Sequence, residues 1–249
     1  MENTLIYGVN PVLEAIRAGV AVKVFISLAR KEDVGLIQGL AGKRGVPVER
    51  VGPSFFDAFP KGHQSVAARV RPVAQAEPEE MLEAAQKKGE QPLLIALDGV
   101  EDPRNLGAIM RSAAALGAHG IIIPKRHGAG LSPETIKTSA GAAWGLPVSV
   151  QPNIKYSLDK LRENGLLIFG AQAPQAGAGI LPWQADLSLP LVLVLGAEQT
   201  GLRRVVAQRC DAMLSIPMRG VNSLNVSVSA GIFLFEILRQ RSSKKGKKP

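Results

Sequence analysis

Three separated stretches of the chain place polar side chains where an apolar framework would otherwise continue. The first runs Leu97-Asp98-Gly99-Val100-Glu101-Asp102-Pro103-Arg104-Asn105-Leu106-Gly107-Ala108-Ile109-Met110-Arg111. An apolar strand gives way there to a polar turn and then to a helix start, where open α/β sheets bind ligands. Asn105 lies at or near the cap of that helix, and on geometry alone a simple cap is the favoured reading. Leu106, Met110 and Ala113 form the buried stripe of that helix, and at about 100° per residue Arg111 lies opposite it. A solvated side chain is then the default reading of Arg111, and nothing local excludes it.

The second stretch is Leu193-Val194-Leu195-Gly196-Ala197-Glu198-Gln199-Thr200-Gly201-Leu202. A buried strand runs straight into Gly196, which lacks a Cβ and lets a ligand approach the backbone closely. Glu198 stands at the strand's exit. The plain alternative is a glycine turn carrying an exposed acid. Neither a dinucleotide G-x-G-x-x-G turn nor the G-K-[ST] ending of a phosphate loop is present. The third stretch is Ile216-Pro217-Met218-Arg219-Gly220-Val221-Asn222-Ser223-Leu224-Asn225-Val226-Ser227-Val228-Ser229. A strand ends at Ile216, a loop follows, and a helix begins with Ser223 or Asn222 as its cap. Core packing accounts for the apolar residues here but not for Asn225, a poor helix-interior residue unless it is hydrogen-bonded. Ser227, Ser229, Ala230 and Gly231 form a small-residue surface suited to close helix packing, within the chain or against a second copy.

The elements that must hold these stretches follow from patterning. Residues 93–97, 121–123, 148–150, 166–171, 191–195 and 212–216 read as short apolar strands. Helical stretches at 105–116, 133–140, 156–163 and 223–240 alternate with them. That alternation predicts an α/β fold with a mostly parallel sheet and helices on both faces. Residues 1–72 read as a separate small α/β unit, with a helix capped by Asn10 and started by Pro11, strands at 22–28 and 66–70, and a short core helix around Phe55, Phe56 and Phe59. Residues 73–91 are acidic and Ala-rich, bracketed by prolines, and read as a linker with some helix. Residues 242–249 read as a disordered basic tail.

Charge is unevenly placed. The net charge is +9, divided as +4 over residues 1–72, −3 over 73–91, +2 over 92–238 and +6 over 239–249. A basic end unit and a basic tail around a near-neutral block fit a polyanionic partner. Aromatic residues are 4% of the chain, which argues against base-stacking platforms as the main binding device. Cys210 is the single cysteine, and His63, His119 and His127 lack metal-site spacing, so no metal is expected. No charged-then-apolar leader follows Met1 and no apolar span reaches membrane length, so a cytoplasmic location without membrane partners is expected.

Taken in order, N-x-x-x-x-x-R after a strand, G-x-E-x-x-G-L, and I-P-M followed by S-L-N-V-S-x-[SA] resemble the three motifs of the SpoU branch of the knotted (SPOUT) methyltransferases. The likeness covers residues 92–241. Tyr7-Gly8, Pro11-Val12-Leu13-Glu14-Ala15 and His63-Gln64 with Ala67 resemble the substrate-binding domain of bacterial 23S ribosomal RNA guanosine 2′-O-methyltransferases, with Ser65 where many relatives have glycine.

The resemblance implies a deep trefoil knot, an exception to the unknotted rule, and a small N-terminal RNA-binding domain resembling a ribosomal protein. It implies S-adenosylmethionine held near Leu195, Gly196, Ile216, Met218 and Leu224, and a homodimer through the knot region whose active site draws on both subunits. It implies methyl transfer to a ribose 2′-hydroxyl of RNA, a guanosine of 23S rRNA being the expected target. Arg111 would meet the 2′-hydroxyl. Because arginine stays protonated in proteins, it would stabilise the forming alkoxide, with a phosphate helping to remove the proton. Asn105 and Glu198 would orient Arg111 and the RNA, and Ser223 and Asn225 would shape the transfer pocket. The alternatives are the same chemistry on tRNA or another rRNA site, and a non-catalytic RNA-binding protein.

Overall fold

The computed structural model describes residues 4–174 and 179–245. The chain opens with β1 (Thr4–Tyr7), α1 (Val9–Arg17), β2 (Ala21–Ser27), α2 (Val34–Lys43), β3 (Val48–Val51) and β4 (Val66–Val70). These strands form a sheet in the order β1-β4-β2-β3, antiparallel except for the β2–β3 pair. Alternation along β2 and β4 sends Val24, Ile26, Val66, Ala68 and Val70 towards α1 and α2, where they join Val12, Ile16 and Ile37. Phe25 and Ala67 face the other way and collect Phe56, with Tyr7, Phe55 and Phe59 half-buried around them. The expected core helix there is a single 3-10 turn, Pro53–Phe56. Asn10 does not cap α1: the helix begins at Val9, whose N–H is taken by the Gln64 side chain at 2.9 Å. Gln64 and Ser65 sit at φ 52° and 56°, so Ser65 occupies the left-handed conformation that favours glycine.

Residues 73–91 are more than a linker. They contain α3 (Pro78–Lys87), started by a capping box in which Glu77 and Glu80 satisfy each other's backbone N–H. Met81, Leu82 and Ala85 are buried, Met81 and Leu82 against the second sheet. The short acidic stretch hid a stripe of only three apolar residues.

The rest of the chain runs β5 (Leu93–Asp98), α4 (Pro103–Ala115), β6 (Gly120–Pro124), α5 (Pro133–Thr138), β7 (Val148–Gln151), α6 (Ile154–Glu163), β8 (Leu167–Gln172), β9 (Leu191–Gly196), α7 (Arg204–Ala207), β10 (Ala212–Ser215) and α8 (Val226–Lys245). The six strands are all parallel, in the order β10-β8-β9-β5-β6-β7. Strand β5 is buried throughout, as its unbroken apolar run requires in a sheet covered on both faces. Leu93, Ile95 and Leu97 pack with Leu106, Ile109 and Met110 of α4 and Phe233, Leu234 and Ile237 of α8. Leu94 and Ala96 face Met81 of α3 and Leu158 and Leu161 of α6. Truncating a residue such as Ile95 to alanine costs about 2–5 kcal/mol.

Two further features tie the halves together. Gly107 lets α5 lie against α4, since a Cβ there would come within 2.6 Å of the Thr135 carbonyl. Helix α5 then meets the N-terminal unit, with the Lys137 ammonium 5.2 Å from the Tyr7 ring centroid. At the other end, α8 continues to Lys245, so residues 242–245 are helical and not tail; residues 246–249 lie outside the described residues. Gln240 and Arg241 explain that extension. Gln240 bonds Leu187, Pro182 and Ala185, and Arg241 donates to the carbonyls of Gln91, Pro92 and Leu189. None of the three histidines is near a metal-like cluster among the described residues. His119, for example, accepts the Leu93 N–H through Nδ1 and lies 2.9 Å from Glu90 through Nε2.

Candidate active site

The strand order reverses around β5, whose neighbours are β6 on one side and β9 on the other. At such a switch the loops leaving adjacent strands diverge and open a crevice at the carboxyl ends. A cavity of about 500 Å³ lies there. Its walls are Leu195–Leu202 after β9, Ala171–Ala173 after β8, Ile216, Met218 and 222–224 after β10, and Val226, Ser229 and Phe233 of α8.

All three motif stretches converge on this place. Helix α4 is capped by Asp102, whose carboxylate accepts the Arg104 N–H at 2.8 Å, with Pro103 in its first turn. The side-chain bond from Arg104, then the backbone bond from the same residue, hold the Asp102 carboxyl below its ordinary range. Asn105 is therefore not the cap, and its side chain is free to bond across the crevice. Its amide donates to Glu198 Oε1 at 3.0 Å. The Asn225 amide donates to the same Glu198 oxygen at 2.6 Å and to Asn105 Oδ1 at 3.0 Å. Asn225 Oδ1 in turn accepts the Ser227 N–H at 2.9 Å and the Ser227 hydroxyl at 2.6 Å. Asn225 is thus the cap of α8, the part expected of Ser223 or Asn222. Its side chain is satisfied at both ends, which explains an asparagine among apolar neighbours.

Glu198 lines the cavity, as do Ser223 and the five residues expected around a cofactor, Leu195, Gly196, Ile216, Met218 and Leu224. Asn105 and Asn225 stand behind Glu198. Arg111 does not join them. It is exposed, and no hydrogen bond or ion pair holds it among the described residues. The expectation that Asn105 and Glu198 orient Arg111 is therefore not met within one chain. The reason is helical geometry: Arg111 projects from the solvent side of α4, while Asn105 is 9% exposed.

Gly196 also needs a different explanation. A Cβ on it would lie 2.3–2.5 Å from the backbone of Gly201 and Leu202. The glycine thus admits the returning loop, which closes when Ala197 and Gly201 exchange backbone hydrogen bonds of 3.1 and 2.9 Å.

Sequence reasoning passed over Asp98 and Arg203. The Asp98 side chain is fully buried at the end of β5 and ion-paired with Arg203 at 2.7 Å. A carboxylate ending an otherwise apolar strand was the available signal. Its partner lies 105 positions away, beyond the reach of any local pattern.

Comparison with known proteins agrees with this arrangement. Residues 92–235 match the model of the SpoU rRNA Methylase family, and residues 5–76 match that of RNA 2'-O ribose methyltransferase substrate binding. A protein of Mycolicibacterium paratuberculosis named as an uncharacterized tRNA/rRNA methyltransferase is 42% identical over 96% of this chain and 78% of its own length. The SpoU methyltransferase AviRb of Streptomyces viridochromogenes, solved in complex with AdoMet, superposes with a TM-score of 0.76 at 27% identity, over 96% of this chain and 90% of that one. An AdoMet-bound rRNA methyltransferase of Sinorhizobium meliloti gives 0.73 at 26% identity, over 96% and 87% of the two chains. With its three motif stretches gathered at one crevice and more than half its length matched, this chain belongs to the SpoU rRNA methylase family.

Proposed function

We propose that this S-adenosylmethionine-dependent RNA methyltransferase modifies the ribose 2′-hydroxyl of a guanosine in 23S rRNA. The observation that carries the reading is the convergence of Asn105, Glu198 and Asn225, from three distant stretches, beside a cavity at the carboxyl ends of a parallel sheet. A cavity of about 500 Å³ is of the size small cofactors occupy. Its walls fit this one. Leu195, Ile216, Met218, Leu224 and Phe233 offer apolar surface, and Glu198 is the one charged lining residue among the described residues. Met218, Ser223 and Leu224 make no backbone hydrogen bond to another described residue, which supports their backbone donors and acceptors being used by a nucleoside. When bound, the cofactor supplies an electrophilic methyl carbon on a sulfonium.

The protein's own contribution is placement and charge. The Asn105–Glu198–Asn225 bonds fix the starts of α4 and α8 against the loop after β9, so the cavity wall is formed before RNA arrives. Arg111, always protonated, stabilises negative charge developing on the 2′-oxygen, while a phosphate helps to take up the proton. Because Arg111 is outside the cavity lining of its own chain, a second copy is the natural recipient. Helix α8 carries Val228, Ile232, Phe235 and Leu238, 37–60% exposed and spaced along one face, and this supports a homodimer through α8 with the chain knotted behind it. Phe235→Glu should then give a monomer in sedimentation and abolish turnover. A large-subunit rRNA target places the enzyme in the cytoplasm; no helix among the described residues is long and apolar enough to cross a membrane.

The test is to incubate the protein with labelled methyl donor and total RNA from a strain lacking the enzyme, then map the label. Alkali-resistant linkage at one 23S guanosine is expected. Label confined to tRNA would move the substrate, and label on protein alone would contradict the reading.

A further inference from the structure

The loop that presents Glu198 is held at both ends by one residue, Asp98, through its backbone at one end and its buried carboxylate at the other. On one side Asp98 pairs in register with Gly196 across β5 and β9. On the other it accepts the Arg203 backbone N–H at 2.8 Å and the Arg203 Nε–H at 2.7 Å, with Nη2 also 2.7 Å away. The six residues between, Ala197–Leu202, all line the cavity. The Asp98 side chain is 0% exposed, whereas that of Arg203 is 57% exposed.

Burying a carboxylate is costly unless it is paired, and a well-packed apolar residue would close the sheet as stably. What the ion pair adds is direction. A guanidinium with two nitrogens on one oxygen, and its own backbone N–H on the other, permits one orientation of the loop. Gly99, at φ 81°, lies beside the loop after β9: a Cβ on it would sit 3.5 Å from that of Ala197.

We propose that Asp98 and Arg203 are positioning residues for methyl transfer: their pair clamps the 197–202 loop so that the cavity keeps its shape and Glu198 meets both asparagines. This rests on the function proposed above, and the readouts separate the two. With the full-length protein, S-adenosylmethionine affinity is measured by calorimetry, RNA affinity by filter binding, and turnover at saturating substrates. For Arg203→Ala, cofactor Kd should rise about tenfold or more and kcat fall on the order of 10²-fold, the scale of small misplacements remote from the chemistry. RNA affinity should stay within about twofold, as the proposal requires of a pair that acts through the loop. Arg203→Lys, which keeps charge but not the fork, should recover only part of each loss.

Combined with Glu198→Ala, Arg203→Ala should cost at most about threefold more in kcat, since linked groups are non-additive. Should Arg203→Ala not fold, Asp98→Asn, which keeps shape and loses charge, is read in the same way. A folded variant with unchanged cofactor Kd and kcat, even with a lowered Tm, would overturn the proposal. So would a loss confined to RNA affinity. Wild-type protein that binds the cofactor yet labels no RNA would sink the function and leave the clamp testable through cofactor binding.

Discussion

Along α4, two motif side chains six residues apart live in opposite circumstances. Asn105 is buried and bonded to both Glu198 and Asn225, so its geometry is complete in a single chain. Arg111 is exposed and unbonded among the described residues. On the function proposed above, the difference separates two kinds of functional residue. One kind builds the site by being satisfied within the fold. The other waits for a partner that the fold does not contain. The first should be felt in both stability and catalysis, the second in catalysis alone.

The comparison can be broken hardest at Asn105. Asn105→Asp sets a carboxylate against the exposed Glu198 carboxylate, and the solvent-screened repulsion, added to the lost amide bond, should destabilise the fold by about 1–3 kcal/mol while abolishing transfer. Like charges raise one carboxyl's pKa in the folded state, so that penalty should shrink as pH falls and the pair takes up a proton. Thermal melts from pH 8 to pH 5 check the sign. Glu198→Ala removes the acceptor of two amide N–H groups, of which the exposed Asn225 can turn to water, and should cost about 1 kcal/mol, with turnover reduced as well. Glu198→Gln, which keeps an acceptor oxygen, should be milder on both counts. Ser227→Ala removes one hydroxyl bond to Asn225 and should cost about 1 kcal/mol by denaturant titration.

The smallest effect is on a thiol that does not itself line the cavity. Burial, and then the neighbouring Asp211, push the Cys210 thiol up to about 11. Its alkylation at pH 8 should be slower than that of a free thiol, because the thiolate is the reactive form. A raised thiol pKa also means that the unfolded chain ionises first. Stability should therefore decline as pH rises from the ordinary thiol range of about 8.5 towards the folded value.

How much of this could be read from the sequence depended on the range of the cause. Residues 93–97 and 191–195 announced buried parallel strands because burial on both faces demands unbroken apolar runs, and β5 and β9 lie there. Leu106, Met110 and Ala113 gave the inner face of α4 by spacing alone. Helix α3 was partly concealed, since three buried residues within an acidic stretch leave a weak period. Local capping misled three times, once at Asn10 and twice beside the cavity. Asp102 outcompeted Asn105, and Asn225 displaced Ser223, because which residue caps depends on where the first turn closes. Gly196 was assigned to a ligand, whereas its own returning loop needs the space. The pairing of Asp98 with Arg203 was invisible, because nothing local links residues so far apart, although the carboxylate ending an apolar strand was itself a signal. The motif residues themselves came from resemblance, and their meeting at one crevice is a property of the three-dimensional fold.

The most direct measurement is single-turnover methyl transfer by Arg111→Ala, made beside its cofactor affinity and melting temperature. The account predicts unchanged S-adenosylmethionine binding, a stability within about 0.5 kcal/mol of the parent as for exposed positions, and transfer slowed on the order of 10²-fold or more. Near-normal transfer in that variant would contradict it.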